Sequence, residues 1–125
     1  MSKRLDENLG AVDYDGLIVS NIPITDVVTV SLAAGSGSLK RGTVVTGAPG
    51  GELSPLSAAA VADNATYILA DEVDASGSEA VEGTAYRTGH FARGKLTTGG
   101  SYTLTAADEE ILRKSGILLS DAMNY

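Results

Sequence analysis

His90 is the only histidine of the chain, and it is the side chain best suited to transfer protons near neutral pH. A serine nucleophile would need this imidazole as its base, yet no G-x-S-x-G sequence presents such a serine. The chain also lacks cysteine, which excludes a thiolate nucleophile and a thiolate zinc site. Because His90 stands beside Phe91 in an alternating segment, we expect it to pack in a strand or lie at the surface.

A second candidate is the segment 89–96, which follows the phosphate-binding pattern G-x-x-x-x-G-K-[ST] up to its last position. That position is Leu96, whose side chain cannot bind magnesium. A phosphate loop must also open a helix that points its N-terminus at the anion. The residues that follow, 97–100, read Thr-Thr-Gly-Gly and predict a turn instead. We therefore expect a strand and a turn here, without nucleotide binding.

Acidic residues offer no better site. Asp71, Glu72 and Asp74 are close in sequence, but the glycine and the terminal glutamate of a calcium-binding loop are missing. The acidic run 108–110 is explained by its place at the start of a predicted helix, where negative charge is favourable. The sequence thus predicts no catalytic, cofactor-binding or metal-binding residues.

The charge balance limits the partners. Nine basic and 16 acidic residues give a net charge of −7, which disfavours phosphate backbones and anionic membrane surfaces. No apolar run approaches the roughly 20 residues that a membrane-spanning helix needs. With 125 residues and only 5% aromatic residues, we expect one small domain that gains stability from an oligomeric interface. Neither nucleic acid nor membrane is expected as a partner.

Short strands are expected along most of the chain. The β-branched run over 26–32 predicts one strand, and the run over 39–46 predicts a second. Between 85 and 91 the residues alternate, with Ala85 and Phe91 on one face and Tyr86 on the other, which predicts the clearest strand. A β-rich, mixed α/β fold with a single small domain follows from these elements.

One helix is expected near the C-terminus, over about 106–115. Thr105 is a suitable N-cap, Asp108 occupies the third helical position and Gly116 supplies the C-terminal stop. The pattern predicts that Ala107, Ile111 and Leu112 are buried. A short strand of apolar residues follows the helix.

The N-terminal part divides at Gly16. Residues 1–16 are polar and acidic and predict a flexible arm, so that residues 17–125 would form the single domain. A β-branched cluster follows, in which Pro23 favours an edge strand or a docked strand. Such a strand could bind a partner or serve the domain's own core. The candidate contact residues are Leu17, Ile18, Val19, Ile22 and Ile24.

Four stretches in order resemble the head decoration proteins of lambda-like tailed phages. They are Leu-Lys-Arg-Gly-Thr-Val-Val over 39–45, Tyr-Ile-Leu-Ala-Asp-Glu-Val-Asp-Ala over 67–75, Ala-Tyr-Arg-Thr-Gly-His-Phe over 85–91, and the helix leading into 114–119. The resemblance covers about residues 28–120. It implies a domain of the β-tulip type that decorates the outer capsid surface as a homotrimer at three-fold positions and stabilises the expanded head.

The same resemblance names the expected partners and place. They are the major capsid protein and two further copies of the chain, in a virion assembled in the host cytoplasm. It also implies that the N-terminal arm touches the shell, although the resemblance does not extend to residues 1–27. The alternative is another non-enzymatic, β-rich virion component such as a tail, fibre or adhesin-type module. A small enzyme is a third class, for which the sequence offers no group of residues.

Overall fold

The computed structural model describes residues 17–20, 24–58, 64–100 and 102–120, so the predicted arm over 1–16 lies outside the described residues. The described part contains nine strands, one α-helix and one short 3-10 helix. The strands are β1 (Ile18–Ser20), β2 (Asp26–Leu32), β3 (Gly37–Leu39), β4 (Val44–Gly47), β5 (Ser54–Pro55), β6 (Ala65–Leu69), β7 (Val73–Ala75), β8 (Val81–Ala92) and β9 (Ile117–Ser120). The 3-10 helix spans Arg93–Lys95, and α1 spans Ala106–Lys114. This is the predicted β-rich, mixed α/β domain with a C-terminal helix.

Strand β8 organises the main sheet because it is 12 residues long and pairs with four other strands. Its first part pairs antiparallel with β2, and its Ala85–Tyr86 region also pairs with β6. Its last four residues pair with β9 in parallel and with β1 in antiparallel orientation. The strand predicted around Tyr86 is therefore confirmed, and it is longer than the alternating residues indicated. The predicted faces are wrong, because the register shift between Tyr86 and Thr88 lets Tyr86 and Phe91 pack in the same apolar cluster.

The main sheet curls, so that the residue before β5 pairs with the end of β2. The pairing continues from β6 to β4 and from β4 to β5. Leu53, just before β5, forms a parallel bridge with Leu32, and its N–H donates to the Ser31 carbonyl at 2.8 Å. These contacts close the curled sheet at β2. Apolar side chains fill the space that the curled strands enclose. A separate two-stranded sheet is formed by β3 and β7.

Two apolar clusters hold the domain together. One lies among the curled strands and includes Val30, Leu32, Leu53 and Leu69. The second is built around Phe91, between the β8–β9 end of the sheet and the helix. Its buried members are Leu17, Val44, Leu56, Ile68, Ala70, Tyr86, Phe91, Leu112 and Ile117. The helix completes this second cluster, since Leu112 is fully buried.

The helix begins and ends where the sequence predicts. Thr105 and Asp108 form a capping box, with the Asp108 N–H donating to the Thr105 hydroxyl at 3.2 Å and the Thr105 N–H donating to the Asp108 carboxylate at 2.9 Å. Gly116 follows the helix with a φ of 100°. The predicted burial of Ala107 is wrong, because the buried face follows Asp108 and Leu112, four residues apart, and Ala107 points to solvent.

The predicted strand over 39–46 is also wrong in one respect, since it is two strands. Leu39 ends β3 and pairs with Val73, whereas Val44 begins β4 in the other sheet. Between them Gly42 has a φ of 95°, and a Cβ there would lie 2.8 Å from the Lys95 carbonyl oxygen. A turn that only glycine fits thus breaks the β-branched run.

Candidate functional site

The candidate contact segment starts inside the domain. Leu17 is 1% exposed and belongs to the cluster around Phe91. Its carbonyl accepts a hydrogen bond from the Ala92 N–H at 2.8 Å. Ile18 pairs with Phe91 and packs on the same cluster while remaining partly exposed. This end of the segment therefore contributes to the core of the domain.

The other end of the segment is exposed. Val19 is half-buried, and Ile22 lies outside the described residues. Ile24 is 79% exposed, although its carbonyl accepts a hydrogen bond from the Thr88 hydroxyl at 2.6 Å. The backbone is thus fixed against β8 while the apolar side chain points away. The contact of these five residues with a capsid stays a prediction.

Val27 extends the exposed apolar area next to Ile24. It is 52% exposed, and these two are the large hydrophobic side chains that the described part of the chain leaves in solvent. Between them Asp26 forms an ion pair with Arg87. The register shifts at this point because Asp26 faces Thr88 while Val27 faces Tyr86, which leaves Arg87 as the extra residue of a β-bulge. We call Ile24, Asp26, Val27 and Arg87 the bulge surface.

Val27 was not among the contact residues predicted from the sequence. The alternation along β2 could have indicated the exposure of Val27. Val27 and Thr29 alternate there with the more buried Val28 and Val30. Alternation places Val27 on the outer face of the sheet, where an apolar side chain gains nothing from the core. A bulge cannot be recognised from the sequence, so the proximity of Arg87 to Asp26 was not foreseen.

His90 and the segment 89–96, which the sequence offered for catalysis and phosphate binding, contact other parts of the domain. His90 is half-buried in β8, and its Nε2 lies 2.9 Å from the Ser120 hydroxyl. The segment 89–96 forms the end of β8 and the 3-10 helix, as expected from the turn that follows it. The guanidinium of Arg93 is paired with Glu109. These contacts connect strands and helix to one another.

The three acidic residues considered as a metal site are exposed. Asp71 and Glu72 are exposed after β6, and Asp74 belongs to β7. Hydrogen bonds from the hydroxyl and the N–H of Ser76 lower the pKa of the Asp74 carboxyl. Within the described ranges, no group of three or more histidine, aspartate or glutamate side chains could hold a metal ion. No described helix has the length and apolar character needed to cross a membrane.

Residues 9–118 match the family of bacteriophage lambda head decoration protein D. The match covers most of the 125 residues, including every described strand but the last in full. The chain belongs to this family. A comparison with curated proteins found no match. Membership in the decoration protein D family confirms the resemblance carried by the four sequence stretches.

Family membership establishes a coarse role for the chain. It is a structural protein of the phage head that binds the capsid and belongs to the virion. This favours a head protein over the tail, fibre or adhesin-type alternative. The bulge surface then becomes of interest, because a contact between a decoration protein and a capsid requires exposed groups that gain from burial.

Proposed function

We propose that the chain binds the outer surface of the phage capsid as a homotrimer at three-fold positions and stabilises the expanded head. The observation that carries this proposal is the family match over residues 9–118. The composition supports an oligomer, since 5% aromatic residues leave a small domain with little bulk for its own core. A trimer on a three-fold axis satisfies closed symmetry without exposing a further interface.

The shell contact is assigned to the segment that begins at Leu17, together with a flexible arm over residues 1–16. The domain proper would then comprise residues 17–125. Within the segment the exposed Ile24 is the side chain most available for a partner, because Leu17 is already occupied by the core. Ile18, Val19 and Ile22 complete the proposed contact.

The proposed partners are the major capsid protein and two further copies of this chain. Nucleic acid and membranes are not partners, which the net charge of −7 supports. The chain also has no catalytic role and needs no cofactor. The hydrogen bond between His90 and Ser120 supports a structural role for the one imidazole.

A binding experiment separates contact from folding. Ile24→Asp places a charge on an exposed apolar position, so it should weaken binding to expanded heads by at least roughly tenfold while the melting temperature stays unchanged. Ala107→Asp is the matched control, since Ala107 is an exposed apolar residue on the solvent face of the helix. Ile18→Asp should instead lower the melting temperature, because Ile18 packs on the core.

Assembly needs a second measurement. Sedimentation equilibrium of the free protein, followed by a reconstruction of decorated heads, should show trimers on the three-fold axes. Monomers in solution combined with single copies away from those axes would refute the trimer. Normal binding by the Ile24→Asp variant would show that the contact lies elsewhere on the domain.

A further inference from the structure

Strand β2 has an open side. The Ser31 carbonyl points away from β8, because it accepts the hydrogen bond from Leu53. Backbone groups alternate along a strand, so those of Val27 and Thr29 point to the same outer side. Among the described residues, no strand pairs with that side of β2 before Ser31. Four main-chain groups, two donors and two acceptors, are thus available for a further strand.

A groove runs along this open side. It has a volume of about 260 Å³ and is lined by Thr29 and Ser31 on the side of β2. Gly50 and Gly51 lie in the wall of the groove and carry no side chains that would fill it. The half-buried Tyr67 contributes an aromatic surface. An extended backbone could therefore approach the edge of β2 without displacing any residue that the structure describes.

The charge of the groove selects its occupant. Glu82 lines it, is exposed, and has no ion-pair partner in the described part of the chain. Glu52 is next to Leu53, another lining residue, and is likewise exposed and without an ion pair there. Among the described residues that line the groove there is no lysine or arginine. Glu82 is on β8, across β2 from the open side, so a strand entering the groove would gain from a lysine or arginine long enough to reach Glu82 over β2.

We propose that the open side of β2 is a docking edge, to which an extended segment of the phage shell that carries a lysine or arginine adds a strand. This proposal rests on the proposed capsid-binding function and adds a second contact to it, separate from the segment 17–24. Main-chain hydrogen bonds at Val27 and Thr29 supply the affinity, and Glu82 supplies the selectivity. The neighbouring Val27 side chain is covered at the same time.

A second copy of the chain fits the edge less well. Pairing two β2 edges would bring in a second Asp26–Leu32 strand, which carries no lysine or arginine to meet Glu82. The outer side of β9, at the other end of the main sheet, is a less suitable docking edge. There the Leu119 carbonyl already lies 3.5 Å from the Arg93 guanidinium. A basic segment from the shell that pairs with β2 meets available main-chain groups and brings a positive charge to Glu82.

The test uses the full-length protein and expanded heads that lack it. Thr29→Pro removes an outward N–H without taking a hydrogen bond from the β2–β8 ladder, and Thr29→Val is its control because it keeps that N–H. Glu82→Lys reverses the charge in the groove, and Glu79→Lys makes the same change in net charge at an exposed site outside it. We expect Thr29→Pro and Glu82→Lys to weaken binding by roughly tenfold or more, with both controls within about twofold of the unaltered protein.

Hydrogen exchange provides a readout that does not depend on variants. The Thr29 amide should exchange rapidly in the free protein and become protected on saturated heads. If Thr29→Pro fails to fold, this amide and the Glu82→Lys variant decide the matter. An unprotected amide on saturated heads, or equal binding by the two lysine variants, overturns the docking edge while leaving capsid binding intact. If the Thr29 amide becomes protected at high protein concentration without heads, a second copy of the chain occupies the edge. That result would overturn the shell segment as the occupant. Heads that fail to bind the unaltered protein refute the proposed function itself and the docking edge with it.

Discussion

The guanidinium of Arg93 holds the carboxylate of Glu109 with two hydrogen bonds, from Nε at 2.7 Å and from Nη2 at 2.9 Å. This pair joins the 3-10 helix after β8 to the first turn of α1, and its two residues are 16 positions apart in sequence. Both side chains are partly buried, so the pair is less screened by water than an exposed one. It fixes the helix over the cluster around Phe91.

Glu109→Gln should therefore destabilise the domain measurably. Loss of the charge weakens both hydrogen bonds, and we expect the free energy of unfolding to fall by about 0.5–1 kcal/mol. Denaturant unfolding at low salt measures this change. Glu110→Gln is the control, because the pair of Glu110 with Arg113 is exposed on the same helix and should contribute nothing measurable. Equal losses in both variants would show that the Arg93 pair has no special role.

Much of this helix could be predicted from the sequence because its signals are local. Thr105, Asp108 and Gly116 act on their own neighbours, and the structure confirms each of them. The exposure of Ala107 was not predictable in this way, since it depends on which helix face meets the cluster around Phe91. The side chain of Arg93 reaches α1 through the fold of the intervening residues, and no local pattern contains that information.

The N-cap provides the second prediction. Thr105→Ala removes the acceptor for the Asp108 N–H, and the free energy of unfolding should fall by about 1 kcal/mol. Thr105→Ser keeps the acceptor and should retain most of the stability. Thermal unfolding followed by circular dichroism compares the two. A serine variant as unstable as the alanine variant would mean that the Thr105 methyl group, rather than the cap, carries the effect.

A third prediction concerns high pH. The Tyr102 hydroxyl donates a hydrogen bond to Asp108, and this bond raises the pKa of Tyr102 above its usual value of 10.0. A group with a raised pKa in the folded state adds stability below its unfolded pKa and loses it as the pH rises through the folded pKa. Stability should thus decline above pH 10, as phenolate forms. In Tyr102→Phe this part of the decline should be missing.

Phenolate absorbance tests the same point directly. The difference between the titration curves of the unaltered protein and the Tyr102→Phe variant isolates one of the five tyrosines. A midpoint at or below the ordinary value for tyrosine would contradict the effect of Asp108. Unfolding must be followed in parallel, since a denatured chain titrates normally.

The turns illustrate why other parts of the fold could not be predicted. Gly42 interrupts a run of β-branched residues that by itself predicts one strand, and the interruption becomes necessary only where the Lys95 carbonyl approaches. The bulge at Arg87 likewise results from pairing with β2. For the candidate site, whose capsid contact stays a prediction, the sequence could not divide the apolar segment into the buried Leu17 and the exposed Ile24.

Gly116 allows a sharp fourth test. Its φ is 100°, and an added Cβ would lie 2.8 Å from Cγ2 of Thr88. Gly116→Ala combines a left-handed backbone with a steric clash, so we expect a loss of more than about 1 kcal/mol. Gly94→Ala is the control, since it lies in the 3-10 helix without positive φ or a close neighbour. It should be neutral or slightly stabilising, as measured by denaturant unfolding.

The last prediction concerns Phe91, the only phenylalanine of the chain and a fully buried one. Its ring lies 5.5 Å from that of Tyr86, and its backbone pairs with Ile18 on one side and Leu119 on the other. The first and the last described strands therefore meet at this residue. Phe91→Ala should cost about 3–5 kcal/mol in the free energy of unfolding, because it leaves a cavity where strands from three parts of the chain converge.

Such a loss is a large share of the stability of a domain of this size, so the variant should be partly unfolded at 37 °C or close to it. Phe91→Leu fills most of the space and should lose less, while Val27→Ala at an exposed position should stay within about 0.5 kcal/mol. If capsid binding is linked to folding, saturating heads should restore the folded state of Phe91→Ala by mass action. A Phe91→Ala variant as stable as Val27→Ala would show that the β8–β9 end of the sheet is not held by this cluster, and the packing described around Phe91 would have to be abandoned.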